Sequence, residues 1–158
     1  MTGPVGGLQT GGLIESLDHA CRELLAWTGA DRVTVRVDLP ERGLRVDLVA
    51  TEARQEGMVS LVGDASIDQR RLETIQWLDL HRTLLVQSDF REPPFPPPAL
   101  LETYGVRAQM LGPLLGDGAL LGWVSVHQCH ERDWGDADVE ALRSVVASVT
   151  GTLGFPQP

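Results

Sequence analysis

Between Tyr104 and His130 the chain gathers the side chains most able to do chemistry together: Gln109, Trp123, Ser125 and His127, with Arg107 close by. Ser125 and His127 stand two apart in a run that reads as extended, so both leave the same face. A hydroxyl beside an imidazole is the start of a nucleophilic pair, and Asp89 could orient the imidazole as a third member. No GxSxG elbow or oxyanion loop accompanies them, so hydrolase or isomerase chemistry on a small polar metabolite is the second reading. The first is binding. An amide, an indole, a hydroxyl and an imidazole converging on one face, with a guanidinium at its edge, suit a small planar molecule that is anionic or polar.

Arginine charge and burial should both pull His127 toward its neutral form. His127, Cys129, His130 and Asp133 also offer metal-ligand types. On an extended strand, however, His130 points away from the other two, and no distant His or Cys cluster completes a set, so no metal is expected. Three further candidates lie upstream. His81 follows a predicted helix, where it either edges the pocket or simply complements the helix dipole. Asp89 and Arg91 open the proline-rich stretch DFREPPFPPP, as contacts from a loop over the pocket or as solvated charges.

Composition removes several classes. The chain has 158 residues, enough for one domain with a real core, expected over 11–154 with flexible ends at 1–10 and 155–158. Thirteen basic residues against twenty-two acidic ones give a net charge of −9, which argues against nucleic acid and anionic membranes as partners. No basic start followed by an apolar core marks a signal peptide and no apolar run is long enough to cross a membrane, so the expected compartment is the cytoplasm. There is no lysine, which excludes Schiff-base and P-loop lysine chemistry, and no asparagine, which excludes a Cys-His-Asn triad. Cys21 and Cys129 belong to no CxxC pair.

The elements that must position these residues follow from periodicity. Leu13, Leu17, Cys21, Leu24 and Leu25 form a helical stripe that Gly29 ends. Asp31 to Asp38 alternates Val33, Val35 and Val37 with Thr34 and Arg36, and Leu44 to Ala50 alternates again after a turn, which predicts a hairpin. Met58 to Val62 reads as a third strand, Ser66 to Asp79 as a capped helix, Leu84 to Gln87 as a short strand and Ala99 to Tyr104 as a short helix. The last helix, from about Ala137 to Leu153, carries Val139, Leu142, Val146, Val149 and Leu153 in alternating steps of three and four. That narrow stripe suits packing on the first helix, on a second subunit, or on both.

Gly116, Asp117 and Gly118 punctuate the second hairpin. A three-residue loop sets Leu111 opposite Trp123, Gln109 opposite Ser125 and Arg107 opposite His127. It leaves the other face wholly apolar, with Ala108, Met110, Gly112 and Leu114 against Val126, Val124, Gly122 and Leu120. A two-residue Asp117-Gly118 turn would mix polar and apolar side chains on both faces, so the three-residue loop is preferred.

The tract YGVRAQMLGPLLGDGALLGWVSVH, followed by Trp134 and DADVEAL, resembles the GAF domain family, and the likeness covers almost the whole chain. The resemblance implies an α/β (α+β) fold, in which a central antiparallel sheet carries the terminal helices on one face and a ligand pocket under loops and short helices on the other. It also implies a sensory module that binds a small molecule and signals through a partner or as a homodimer built on the first and last helices. Similarity to the phytochrome branch puts Gln109, Ser125 and His127 at pocket-lining positions. No cysteine lies between Leu84 and Leu120, where related domains attach a bilin, so no cofactor is expected and the non-covalent ligand is left open.

Overall fold

The computed structural model describes residues 10–155. The expected flexible ends therefore lie outside the described residues except at Thr10 and Phe155, and Phe155 is buried against the core. Five antiparallel strands, β1 (Arg32–Val37), β2 (Thr51–Arg54), β3 (Leu85–Gln87), β4 (Ala108–Gly116) and β5 (Ala119–Gln128), form one sheet in the order β2-β1-β5-β4-β3. Helices α1 (Thr10–Thr28) and α4 (Asp136–Leu153) pack on one face, while α2 (Glu73–His81), α3 (Pro98–Glu102) and the long loops lie across the other. Among the described residues no helix is long and apolar enough to cross a membrane.

Alternation along the strands produces this division. Val33, Val35 and Val37 of β1, Met110 and Leu114 of β4, and Val124 and Val126 of β5 are fully buried in one cluster with Leu13, Leu17, Cys21 and Leu24 of α1 and Leu142, Val145 and Val149 of α4. A second, separate cluster of Val46, Ile75, Leu78, Leu85, Leu111, Leu120 and Trp123 lies on the opposite face. Branched and aromatic side chains suit a pleated surface buried from both sides, which is why the central strands tolerate so few charges. Gly122 is required where β5 crosses β1, since a Cβ there would lie 2.2 Å from the Arg36 carbonyl oxygen.

The register of the central hairpin departs from the expectation in a way that preserves its faces. The turn is the two-residue Asp117-Gly118 form, with φ of 51° and 77°, the left-handed pair that matches strand twist. A bulge between Leu114 and Leu115 then shifts the ladder, pairing Leu114 with Gly122 but Leu115 with Leu120. Each change alone would flip a strand, and together they cancel. The apolar face survives, but Gln109 now faces His127, Leu111 faces Ser125, and Leu120 moves to the opposite cluster.

Three further expectations are corrected. Residues 44–50 form no strand beyond a single bridge between Leu39 and Leu44, and the pairing strand is Thr51–Arg54. The turn at Pro40 and the left-handed Gly43 (φ 71°) use that stretch to bend the chain. Met58 to Val62 is irregular, because side chains take its backbone groups: Val59 O accepts from Arg32 Nη2 at 2.5 Å, and Leu61 N donates to Glu52 Oε2 at 2.7 Å. Ser66 starts no helix. It donates to Asp64 instead, and α2 begins only at Glu73, after a 3-10 turn at Gln69–Arg71.

Candidate functional site

Opposed residues in a sheet share a face, so its pairing lays out the floor of the site as rows. One row runs Gln87, Gln109, His127, Arg32 across β3, β4, β5 and β1. The next runs Leu85, Leu111, Ser125, Thr34, and a third places Trp123 beside Arg36. The roof comes from the irregular segment with Leu61, Asp64 and Ile67, from Leu72, Thr74 and Ile75 at the start of α2, and from Pro97, Leu100 and Tyr104. Between floor and roof lies a cavity of about 60 Å³.

Four of the expected site residues come together there: Gln109, Trp123, Ser125 and His127 all line the cavity and are at most 4 % exposed. The other four do not. Arg107 is exposed and lies with Asp89 and Arg91 in a separate surface depression. It lies outside the cavity lining, and the two-residue turn and the bulge together move the partner of His127 from residue 107 to residue 109. Asp89 and Arg91 pair with each other at 3.3 Å, and Arg91 also reaches Glu131 at 3.2 Å, so they close on themselves rather than over the cavity. His81 is exposed, stacked on Trp77 with ring centroids 4.1 Å apart, and its Nδ1 meets the Trp77 carbonyl. That is the helix-end environment, well away from the cavity lining. The proline-rich segment does reach the cavity, but through Pro97.

Arg32, Thr34, Arg36, Asp64 and Tyr104 were not anticipated at the site. The signal for the first three was the polar half of the β1 alternation. Arg36 is 7 % exposed and lines the cavity, with Nη1 donating to the Val46 carbonyl at 2.9 Å. Arg32 is fully buried beneath the roof, its Nε 3.6 Å from Glu52 Oε2 and its Nη1 3.3 Å from His127 Nδ1. Tyr104 donates to Asp64, which also takes the amide and hydroxyl of Ser66, and these bonds hold the Asp64 carboxyl down at about 2.

The electrostatics make His127 a neutral donor. Burial first, then Arg32 and Arg36, push its pKa well below the usual 6.5. An arginine only donates, so His127 Nδ1 must accept from Arg32 and the ring proton sits on Nε2. The ring edge away from Arg32 thus carries an N–H. A Ser-His-Asp relay is not assembled, since the position that would orient the base holds a cation, and Asp89 is at the surface with Arg91. His130 bonds Gln128 and the Glu131 carbonyl, apart from His127.

A pH consequence follows. The unfolded chain protonates His127 near 6.5 and the folded chain only well below that. Below pH 6.5 the unfolded state therefore binds the extra proton, and stability falls as pH falls, with a slope approaching about 1.4 kcal/mol per pH unit. His127→Gln, which keeps a side-chain N–H, should remove that component from urea unfolding midpoints measured between pH 6.5 and 5. An unchanged slope would place the titration elsewhere.

Comparison with known proteins fits this geometry. A family model described as GAF domain matches residues 12–153. No curated protein sequence matches the chain. Among solved structures, the cyanobacteriochrome receptor PixJ superposes with a TM-score of 0.71 at 18% identity, over 89% of this chain and 94% of that one. The far-red-absorbing dark state of a protein with bound biliverdin IXa gives 0.69 at 21%, over 89% of each chain. The chromophore-binding domain of a bacteriophytochrome from R. palustris gives 0.64 at 21%, over 90% of this chain and 55% of that one. The expectation of no cofactor is corrected by these neighbours, one of which holds a bilin. The cavity as closed here, about 60 Å³, would admit a tetrapyrrole only after the roof moved, although Arg36 and His127 are donors suited to polar groups of such a ligand.

Proposed function

Because the chain belongs to the GAF domain family, we propose that it is a sensory module that binds a small, planar, polar or anionic molecule in the cavity over β1, β4 and β5. The observation that carries this reading is a floor of buried polar groups whose hydrogen-bonding atoms are left open toward the cavity. The bonds of His127 and Gln109 within the protein use Nδ1 and Nε2, which leaves His127 Nε2 and Gln109 Oε1 to a ligand, and Ser125 lines the same cavity. Each hydrogen bond that a ligand makes to these atoms is worth about 1 kcal/mol net. Arg36, rather than Arg107, serves any acidic group.

The test is a thermal-shift screen of metabolites followed by titration calorimetry. His127→Ala and Gln109→Ala should each weaken the ligand about tenfold or more, with the ligand returned unchanged. An affinity untouched by Gln109→Ala, Ser125→Ala and His127→Ala combined would show that the ligand sits elsewhere. Signalling through a cytoplasmic partner, or as a homodimer through α1 and α4, belongs to the same reading. Its support is that Ile14, Leu25, Val139, Val146 and Leu153 are only partly buried against the core. Sedimentation showing only monomer at about tens of micromolar would remove the dimer.

A further inference from the structure

Two hydrogen-bond chains meet on the cavity floor, and the outer end of each has a fixed direction. At the β3 side, the Pro94 carbonyl can only accept, so it takes the Gln87 amide N–H at 2.7 Å. That turns Gln87 Oε1 inward, where it accepts from Gln109 Nε2 at 2.8 Å. Gln109 is thereby left with its oxygen free, and the assignment does not depend on telling amide oxygen from nitrogen, because reversing either glutamine would set like groups together. At the β1 side, Arg32 can only donate, so His127 Nδ1 accepts and Nε2–H is left free. Gln109 and His127 are direct partners across β4 and β5. The floor therefore presents one acceptor beside one donor, on side chains at most 4 % exposed whose other polar atoms bond Gln87 and Arg32.

From this pairing we infer that the cavity reads a cis-amide edge: a planar group with N–H next to C=O, as in a lactam, an imide or a primary carboxamide. The N–H donates to Gln109 Oε1 and the C=O accepts from His127 Nε2. Leu111 and Trp123 of the floor and Leu72, Ile75 and Leu100 of the roof give the rest of a flat ring apolar walls. A carboxylate in the same place would set lone pairs against Gln109 Oε1, so an acidic substituent belongs at Arg36, two rows away along β1. The inference deepens the reading of this cavity as a ligand site and rests on it.

Four small aromatic probes separate the possibilities: 2-pyridone, which has the edge; N-methyl-2-pyridone, which lacks the donor; benzoate, an anion; and indole, which has no carbonyl. Probes of this size bind in the order of millimolar, a range that ligand-observed NMR with the full chain covers. The expected result is that 2-pyridone binds about tenfold or more tighter than its N-methyl analogue. In Gln109→Leu, which stays folded by circular dichroism, that preference should vanish while indole binding persists. Equal affinity for the two pyridones, binding of benzoate tighter than 2-pyridone in Arg36→Gln as well as in the wild type, or a preference that survives in Gln109→Leu would overturn the edge and leave the ligand site standing. Binding of no probe at all to the folded wild type would overturn both.

Discussion

Glu52→Ala is expected to cost about 3–5 kcal/mol of folding stability, the scale for leaving a buried charge without its counter-ion. Glu52 has 1 % of its side chain exposed and faces Arg32, which has none exposed. Its Oε1 takes Ser60 Oγ at 2.7 Å and Arg54 Nη1 at 3.0 Å, and its Oε2 takes Leu61 N at 2.7 Å. One carboxylate thus neutralises the floor and fastens the roof. Arginine cannot escape by losing its proton, so deleting the anion leaves a desolvated guanidinium hydrogen-bonded to a carbonyl and an imidazole, neither of them charged. The contact itself is imperfect: Arg32 Nε, at 3.6 Å from Glu52, has no hydrogen bond although it is buried. Arg32→Met with Glu52→Gln should therefore recover much of the loss. Arg54→Ala, at a half-exposed partner, should cost no more than about 1 kcal/mol. Urea unfolding measures all three, and a loss below about 1 kcal/mol for Glu52→Ala would refute the account.

Trp123→Ala is expected to cost about 3–5 kcal/mol and to abolish ligand binding. Trp123 is 1 % exposed and joins the cluster of Ile75, Leu78, Leu111 and Leu120 that fastens α2 to the sheet. Removing the indole opens space beside the cavity that the sheet cannot collapse into, because β5 is pinned between β1 and β4. Trp123→Phe keeps an aromatic wall and should lose less of both quantities. Unfolding midpoints and titration calorimetry check the pair, and full binding by Trp123→Ala would show that the indole does not wall the site.

The parts of this structure legible in the sequence are those set by short-range pattern. Alternation in 108–126 placed Gln109, Trp123, Ser125 and His127 on one face, and the helical stripes at Leu13–Leu25 and Val139–Leu153 located the layer on the other. The face survived a wrong turn type only because the bulge at Leu114/Leu115 compensates, and nothing local signals that bulge. Arg32, Thr34 and Arg36 were visible as the polar half of a strand, but their role depends on β1 lying against β5, a neighbour about 90 residues away. Asp89, Arg91 and His81 lie away from the cavity lining for the opposite reason. Asp89 and Arg91 drew notice by their place in the proline-rich stretch and His81 by its place after a helix, and each has a local partner: Asp89 with Arg91, and His81 with Trp77. Met58–Val62 has the composition of a strand, yet Arg32 and Glu52 claim its backbone before any strand can.

The two apolar clusters share no buried residue, and the sheet stands between them as a partition. Selection can therefore act on the two sides almost independently. A change of side chain at Leu111, Ser125 or Thr34 reshapes the cavity without disturbing the packing of α1 on α4, so the domain can acquire a new chemical vocabulary while its scaffold is left intact.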